Sequence, residues 1–279
     1  RHLEQSMSAT LGQKLVVENR PGANGVLGAQ AVKSAAPDGY TLLVGANNEV
    51  AINRLVSSTI KYSWQDFTPV GLIASQPLVL VTSPKMGVKN TDEFIKLAKA
   101  NPGRFSYGSS GVGTSLHLAG EMVKEQAGIF MTHIPYRGSG PALLDLMGGS
   151  VDVMFDNLPS ALPQIKAGKL KALAVTTKTR IPMAPDIPTL DETGGDSGLK
   201  GYEVGGGSGL LAPRGTPPEV LRKFETDVRA ALNTPSVREQ YAANGLIAVG
   251  SSAQEFGAYL KSEIARWAPV IRATGAQVD

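Results

Sequence analysis

Cysteine is absent from the 279 residues. That excludes disulfides, thiolate nucleophiles and cysteine-ligated metal sites. The absence fits the cytoplasm, and it equally fits a periplasmic protein that avoids stray oxidation. Histidine is nearly as scarce: His2, His117 and His133 are the whole set. None stands at metal-ligand spacing from another and no HExxH occurs, so neither a metal nor another cofactor is expected. No apolar run approaches the roughly 18 residues of a membrane-spanning helix. No block of like charge occurs either. The 27 Lys and Arg and the 24 Asp and Glu are interspersed, for a formal net charge of +3. A nucleic-acid-binding arm is therefore not expected. The chain opens at Arg1 inside a helix-like stretch without a signal peptide, and is read as processed or short of an N-terminal piece.

What is present has the balance of an ordinary globular protein, with 42% hydrophobic and 18% charged residues. The length suits about two domains of roughly 100–200 residues each. Residues 1–11 read as a helix stopped by Gly12, and "KLVVEN" as a short strand. "RPGANGVLG" reads as a turn into a helix that ends before Pro37. Its three glycines are evenly spaced and do not form the dinucleotide fingerprint. "TLLVGA" reads as a buried strand. "FTPVGLIASQPLVLVTSP" reads as two strands broken at Gln76 and Pro77. Thr91 is placed to cap the helix "DEFIKLAKAN". Strand and helix then alternate from "RFSYGSS" to "LKALAVTT". A glycine-rich loop, 191–209, leads to the strand "GLLAP" and a helix opened by Pro217, and a strand and helix close the chain. Alternation with continuous apolar strands predicts an α/β fold of parallel sheets covered by helices.

The stretch "RFSYGSSGVGTSLHLAGEMV" carries the chemistry. A strand, a glycine turn and a helix start leave backbone N–H groups unpaired, and the helix dipole adds positive potential there. Such a turn either binds an anion or is only an N-cap. Gly108, Gly111 and Gly113 allow close approach, and Ser109, Ser110, Thr114 and Ser115 add hydroxyls. Two enzyme motifs come near and fail. Thr114 stands where a P-loop needs lysine, and Val112 where Gly-x-Ser-x-Gly needs its last glycine. His117 either faces the turn's ligand or packs; His133 reads as structural. Asp156 and Asn157 follow a buried strand, as Asn47 and Asn48 follow another, at the edge where open α/β sheets bind ligands. Asp156 either accepts a hydrogen bond from a ligand or caps the next helix. Arg137 reads as a surface charge. No acid–base pair, nucleophile–base pair or catalytic residue emerges.

"VVENRPGANGVLGAQAV", "APDGYTLLVG", "YGSSGVGTSLHLAGE", "HIPYRGSGPALLDLMGGSVDVMFDN" and "LKALAV" followed by "DIPTLDETG" together resemble the Bug family. These are the extracytoplasmic solute receptors of tripartite tricarboxylate transporters, and the likeness runs from Arg1 to about Gly275. The resemblance implies a two-lobed, type II Venus-flytrap periplasmic-binding-protein fold, each lobe a mainly parallel sheet flanked by helices. It implies lobe 1 as 1–76 with 206–279, lacking the family's first strand and loop, and lobe 2 as 77–205. It implies a monomeric periplasmic binding protein, not an enzyme. Such a protein captures a small carboxylate and delivers it to membrane permease subunits. By position, ligand contacts fall to Ser109, Ser110, Gly113, Thr114 and Ser115, with His117, Asp156, Asn157, Asn47 and Asn48. One departure concerns Gly207, which stands where the family carries a tryptophan. That implies a roomier pocket, fit for a longer or aromatic dicarboxylate. The rival classes are a ligand-sensing domain of a transcriptional regulator or two-component partner, and an enzyme on the same scaffold.

Overall fold

A computed structural model describes residues 3–20 and 22–276. Arg1 and His2, where the first helix was expected to begin, lie outside the described residues, as does Pro21. The chain forms two compact units. One holds the described residues up to Ser75 and Gly207–Ile271; the other holds Gln76–Gly206 with Arg272–Ala276.

The first unit opens with α1 (Glu4–Leu11), α2 (Val26–Lys33), β1 (Leu43–Ala46) and α3 (Asn53–Val56), and with the first half of β2 (Phe67–Thr82). "KLVVEN" is not a strand. Leu15 packs on the core while Val16 is 77% exposed, and no ladder pairs with the run among the described residues. Alternation alone fixed its faces, but a strand also needs a partner for its backbone. β2 is a single strand of 16 residues, not two. Ala74 and Ser75 pair with one partner strand, and Leu78 starts pairing with another. Pro77, which has no N–H to donate, sits at the handover, where a proline costs no ladder bond.

The second unit continues with α4 (Thr91–Ala100), β3 (Ser106–Ser109), α5 (Ser115–Ala127), β4 (Thr132–Pro135), α6 (Ser139–Gly148), β5 (Val153–Asn157), α7 (Leu158–Lys166), β6 (Lys171–Val175) and α8 (Leu190–Gly194). The cap of α4 is Asn90, whose side chain accepts the Glu93 N–H at 2.9 Å; Thr91 is the first helical residue. The stretch read as a loop from residue 191 begins instead as α8. Thr189 and Glu192 close a reciprocal capping box at its start. β4, β3 and β5 run parallel, whereas β2 lies antiparallel between β5 and β6. The sheet is thus mixed: β3, β4, β5 and β6 point one way and β2 runs against them. An apolar run buried on both faces does not record the direction of its neighbours. Leu78 through Val81, Val153 through Phe155, and Ala174 and Val175 are all fully buried there.

The chain returns to the first unit as β7 (Gly205–Pro213), α9 (Pro218–Leu232), α10 (Pro235–Ala243), β8 (Ile247–Ala248) and α11 (Ala253–Thr274). β7 pairs antiparallel with β1 and neighbours β2. Its alternate residues serve two cores. Leu210 and Ala212 join Phe224 and Val228 of α9, while Leu211 joins Val26 and Ala29 of α2 and Phe256 of α11. Helices on both faces explain why the strand reads as a continuous apolar run.

Candidate functional site

β3, β4 and β5 are parallel, so α5, α6 and α7, which follow them directly, all begin at one edge of the second unit's sheet. β3 and β5 are neighbours, with Gly108 opposite Met154. The chain leaves β3 towards β4 on one side and leaves β5 towards β6 on the other. This is the topological switch point at which open α/β sheets bind ligands. Helix starts gathered at one edge expose N–H groups and positive dipole ends there.

The turn between β3 and α5 is closed by its own side chains. Thr114 caps α5: its Oγ1 accepts the His117 N–H at 3.4 Å and donates to the Gly111 carbonyl at 2.8 Å. Gly111 and Gly113 take φ of 134° and 77°, a region that disfavours any side chain. Ser110 and Ser115 are half-buried at the surface of the turn. The Ser110 carbonyl accepts the Gly138 N–H at the start of α6, tying two helix starts together.

Several residues singled out in the sequence face inward instead. Ser109 is fully buried, its Oγ 2.7 Å from His133 Nε2 and 3.1 Å from both the N and the O of Gly111. The Gly113 N–H is given to His117 Nδ1 at 3.1 Å, so it is not directed to solvent. His117 is itself buried, and burial holds its pKa below the ordinary value. The Ser109–His133 contact is a hydroxyl–imidazole pair that spacing could not reveal, since 24 residues separate them. It is enclosed and spent on the turn, so it offers no accessible nucleophile.

Asp156 is fully buried at the end of β5. Its Oδ2 accepts from Ser160 Oγ at 2.5 Å, while no hydrogen-bond partner is found for its Oδ1. Burial pushes its pKa up, against the opposing effect of the Ser160 and Ser139 hydroxyls and the Asn157 N–H. Asn157 precedes α7 and is half-buried.

In the first unit, Asn47 and Asn48 follow β1 as expected, but Asn47 is enclosed. Its Nδ2 donates to Glu263 Oε2 at 2.6 Å, and its Oδ1 accepts from Tyr259 Oη at 2.9 Å. Asn48 is half-buried at the start of a π-helical turn, Asn48–Ile52. At Gly207, where a roomier pocket was expected, the space on one side of the strand is taken. A Cβ there would lie 2.5 Å from Tyr259 Oη, so the phenol ring fills that side of the strand. Gly209 admits Phe256 in the same way, and α11 thereby sits tightly on β7.

Elsewhere, a hollow of ≈ 500 Å³ opens at the opposite edge of the second unit's sheet, beside Lys85, Arg104 and Asp152. Asp152 is engaged there by the N–H and hydroxyl of Ser106. Among the described residues, no cluster of His, Asp or Glu is placed to hold a metal ion. No described helix is long and apolar enough to cross a membrane.

The model of the tripartite tricarboxylate transporter family receptor matches residues 1–276. The protein BugT of Bordetella pertussis is 35% identical over 280 residues, covering 100% of this chain and 85% of that protein. Among solved structures, R. palustris Rpa4515 with adipate is 36% identical with a TM-score of 0.89, over 99% of this chain and 92% of that one. MatC (Rpa3494) from Rhodopseudomonas palustris with bound malate is 32% identical with a TM-score of 0.84, over 97% and 92%.

Proposed function

The chain belongs to the tripartite tricarboxylate transporter receptor family, and on that premise we propose that it captures a small dicarboxylate and passes it unchanged to the permease subunits of such a transporter. The carrying observation is the set of helix starts gathered around the 109–115 turn. A carboxylate placed there exchanges water for oriented N–H groups and hydroxyls. Ser110, Ser115 and the first turn of α5 make the direct contacts in this reading, and Thr114 frames them. Ser109, Gly113 and His117 stand behind the turn; in the first unit Asn48 is the candidate contact, since both ends of the Asn47 amide are engaged. Burial raises the pKa of Asp156, which disfavours the negative charge that would oppose an incoming anion. The relatives solved with adipate and malate carry dicarboxylates, which supports that ligand class. Tyr259 beside Gly207 favours aliphatic over aromatic acids. The ligand is taken up in the periplasm, and the protein acts as a monomer.

Thermal-shift and calorimetric titration with adipate, malate, succinate and phthalate test this. A saturating aliphatic diacid, at about 100 times its Kd, is expected to stabilise the protein by about 2.7 kcal/mol. Thr114→Val is expected to weaken that binding about tenfold, since it removes a cap and the bond that closes the turn. The same change lowers stability by about 1 kcal/mol. A panel in which no diacid stabilises the protein, or in which phthalate binds best, overturns the respective claim.

A further inference from the structure

The glycine turn is backed by a column of stacked rings. The His117 and His133 rings lie 4.0 Å apart, and Tyr107 stacks on His133 at 4.8 Å. Each imidazole reaches the turn through one defined nitrogen. His117 uses Nδ1, which takes the Gly113 N–H at 3.1 Å, and His133 uses Nε2, which meets Ser109 Oγ at 2.7 Å. Ser109 relays the second contact to both polar backbone atoms of Gly111. The two imidazoles therefore hold opposite ends of the 109–113 bend. We infer that His117 and His133 are positioning residues of the carboxylate cradle, fixing its N–H groups from behind without touching the ligand. This rests on the reading of the 109–115 turn as that cradle.

The hydrogen bonds fix the chemistry required. Gly113 can donate only to a lone pair, so His117 carries its proton on Nε2. That nitrogen faces Glu121, whose Oε1 lies 4.0 Å away and is held by Tyr107 Oη and Lys124 Nζ. A protonated His117 would set one N–H against another and release the turn. The stacked partner ring also makes a second positive charge unfavourable. Hydrogen bonds of this kind position best when their partners cannot rotate, and here packing holds both rings.

A role in positioning predicts a pattern that packing does not. Asparagine puts an oxygen near the place of Nδ1, and glutamine near that of Nε2. His117→Asn is therefore expected to keep adipate affinity within about threefold. His117→Gln and His117→Leu are expected to lose about tenfold. At the other position the order inverts: His133→Gln keeps binding and His133→Asn loses it. Calorimetry with adipate measures this, with circular dichroism as the check on folding. Nitrogen-15 NMR of the wild-type imidazoles gives a readout that needs no variant, and Nε2–H is expected for His117. A wild-type protein that binds no dicarboxylate removes the cradle reading itself. Binding by the wild type with equal losses at Asn, Gln and Leu leaves the cradle standing and overturns the positioning role. A proton found on Nδ1 of His117 overturns it as well.

Discussion

Replacing Glu263 by alanine is expected to destabilise the protein by about 3–5 kcal/mol, the cost of breaking a buried charged network by removing one member. Glu263 lies on α11 with no exposed surface. Its Oε2 accepts from Asn47 Nδ2 at 2.6 Å and from Trp267 Nε1 at 3.1 Å, and its Oε1 sits 2.7 Å from Arg266. Without the carboxylate, an amide and an indole N–H lose their acceptor in the interior, and each lost partner is costly. Glu263→Gln keeps one acceptor oxygen and gives up the charge, so a loss of about 1–2 kcal/mol is expected. Urea unfolding followed by tryptophan fluorescence measures both, since Trp267 is itself in the network. An alanine variant within 1 kcal/mol of the wild type would mean that the contacts are incidental.

The same network decides what Asn47 does. Both ends of its side-chain amide are engaged, by Glu263 and by Tyr259 Oη. Asn47→Ala is thus a stability variant before it is a binding variant. Sequence position alone placed Asn47 correctly, just past the end of β1. It could not register α11, more than 200 residues away, arriving with a carboxylate and a phenol. Gly207 carries the same lesson. A missing side chain reads as room in one dimension, but in three dimensions Tyr259 has already taken the room.

What was legible followed from local chemistry. The glycine turn, the helix after it and the strand ends were set by spacing, capping hydroxyls and apolar runs, which act over a few residues. What was not legible depended on partners distant in the chain. Pro77 read as a break because its pairing changes hands at that residue, a fact of β5 and β8. "KLVVEN" read as a strand because nothing in six residues says whether a ladder awaits them. The Ser109–His133 contact was hidden because β4 enters the sheet through another crossover. Thr91 read as the cap of α4, but Asn90, with extended backbone, takes that place and Thr91 is already helical. The candidate residues were named from the sequence, but which of their atoms face inward was decided by packing.

Acid is expected to loosen the second unit before it affects anything else there, and the imidazole pair sets the direction. Burial, then His117, then Lys124 push His133 down from the ordinary 6.5 to about 3. Burial lowers His117 as well, with Lys124 acting the same way and Glu121 opposing. Between pH 6.5 and about 3 the unfolded chain therefore binds protons that the folded one refuses. Stability falls as pH falls through that window, by up to about 1.4 kcal/mol per pH unit for His133, and His117 acts in the same direction below 6.5. Above 6.5 these residues contribute no slope. Asp156 and Glu49 act in the opposite sense: burial raises both, so folding favours their protonated forms and loses that contribution as pH rises past their ordinary values of 3.8 and 4.5. Urea unfolding at stepped pH separates the two effects. His133→Gln, which keeps the contact to Ser109 but cannot titrate, is expected to flatten the acid slope by about one proton while binding persists. An unchanged slope in that variant would leave the stacked imidazoles out of the acid sensitivity.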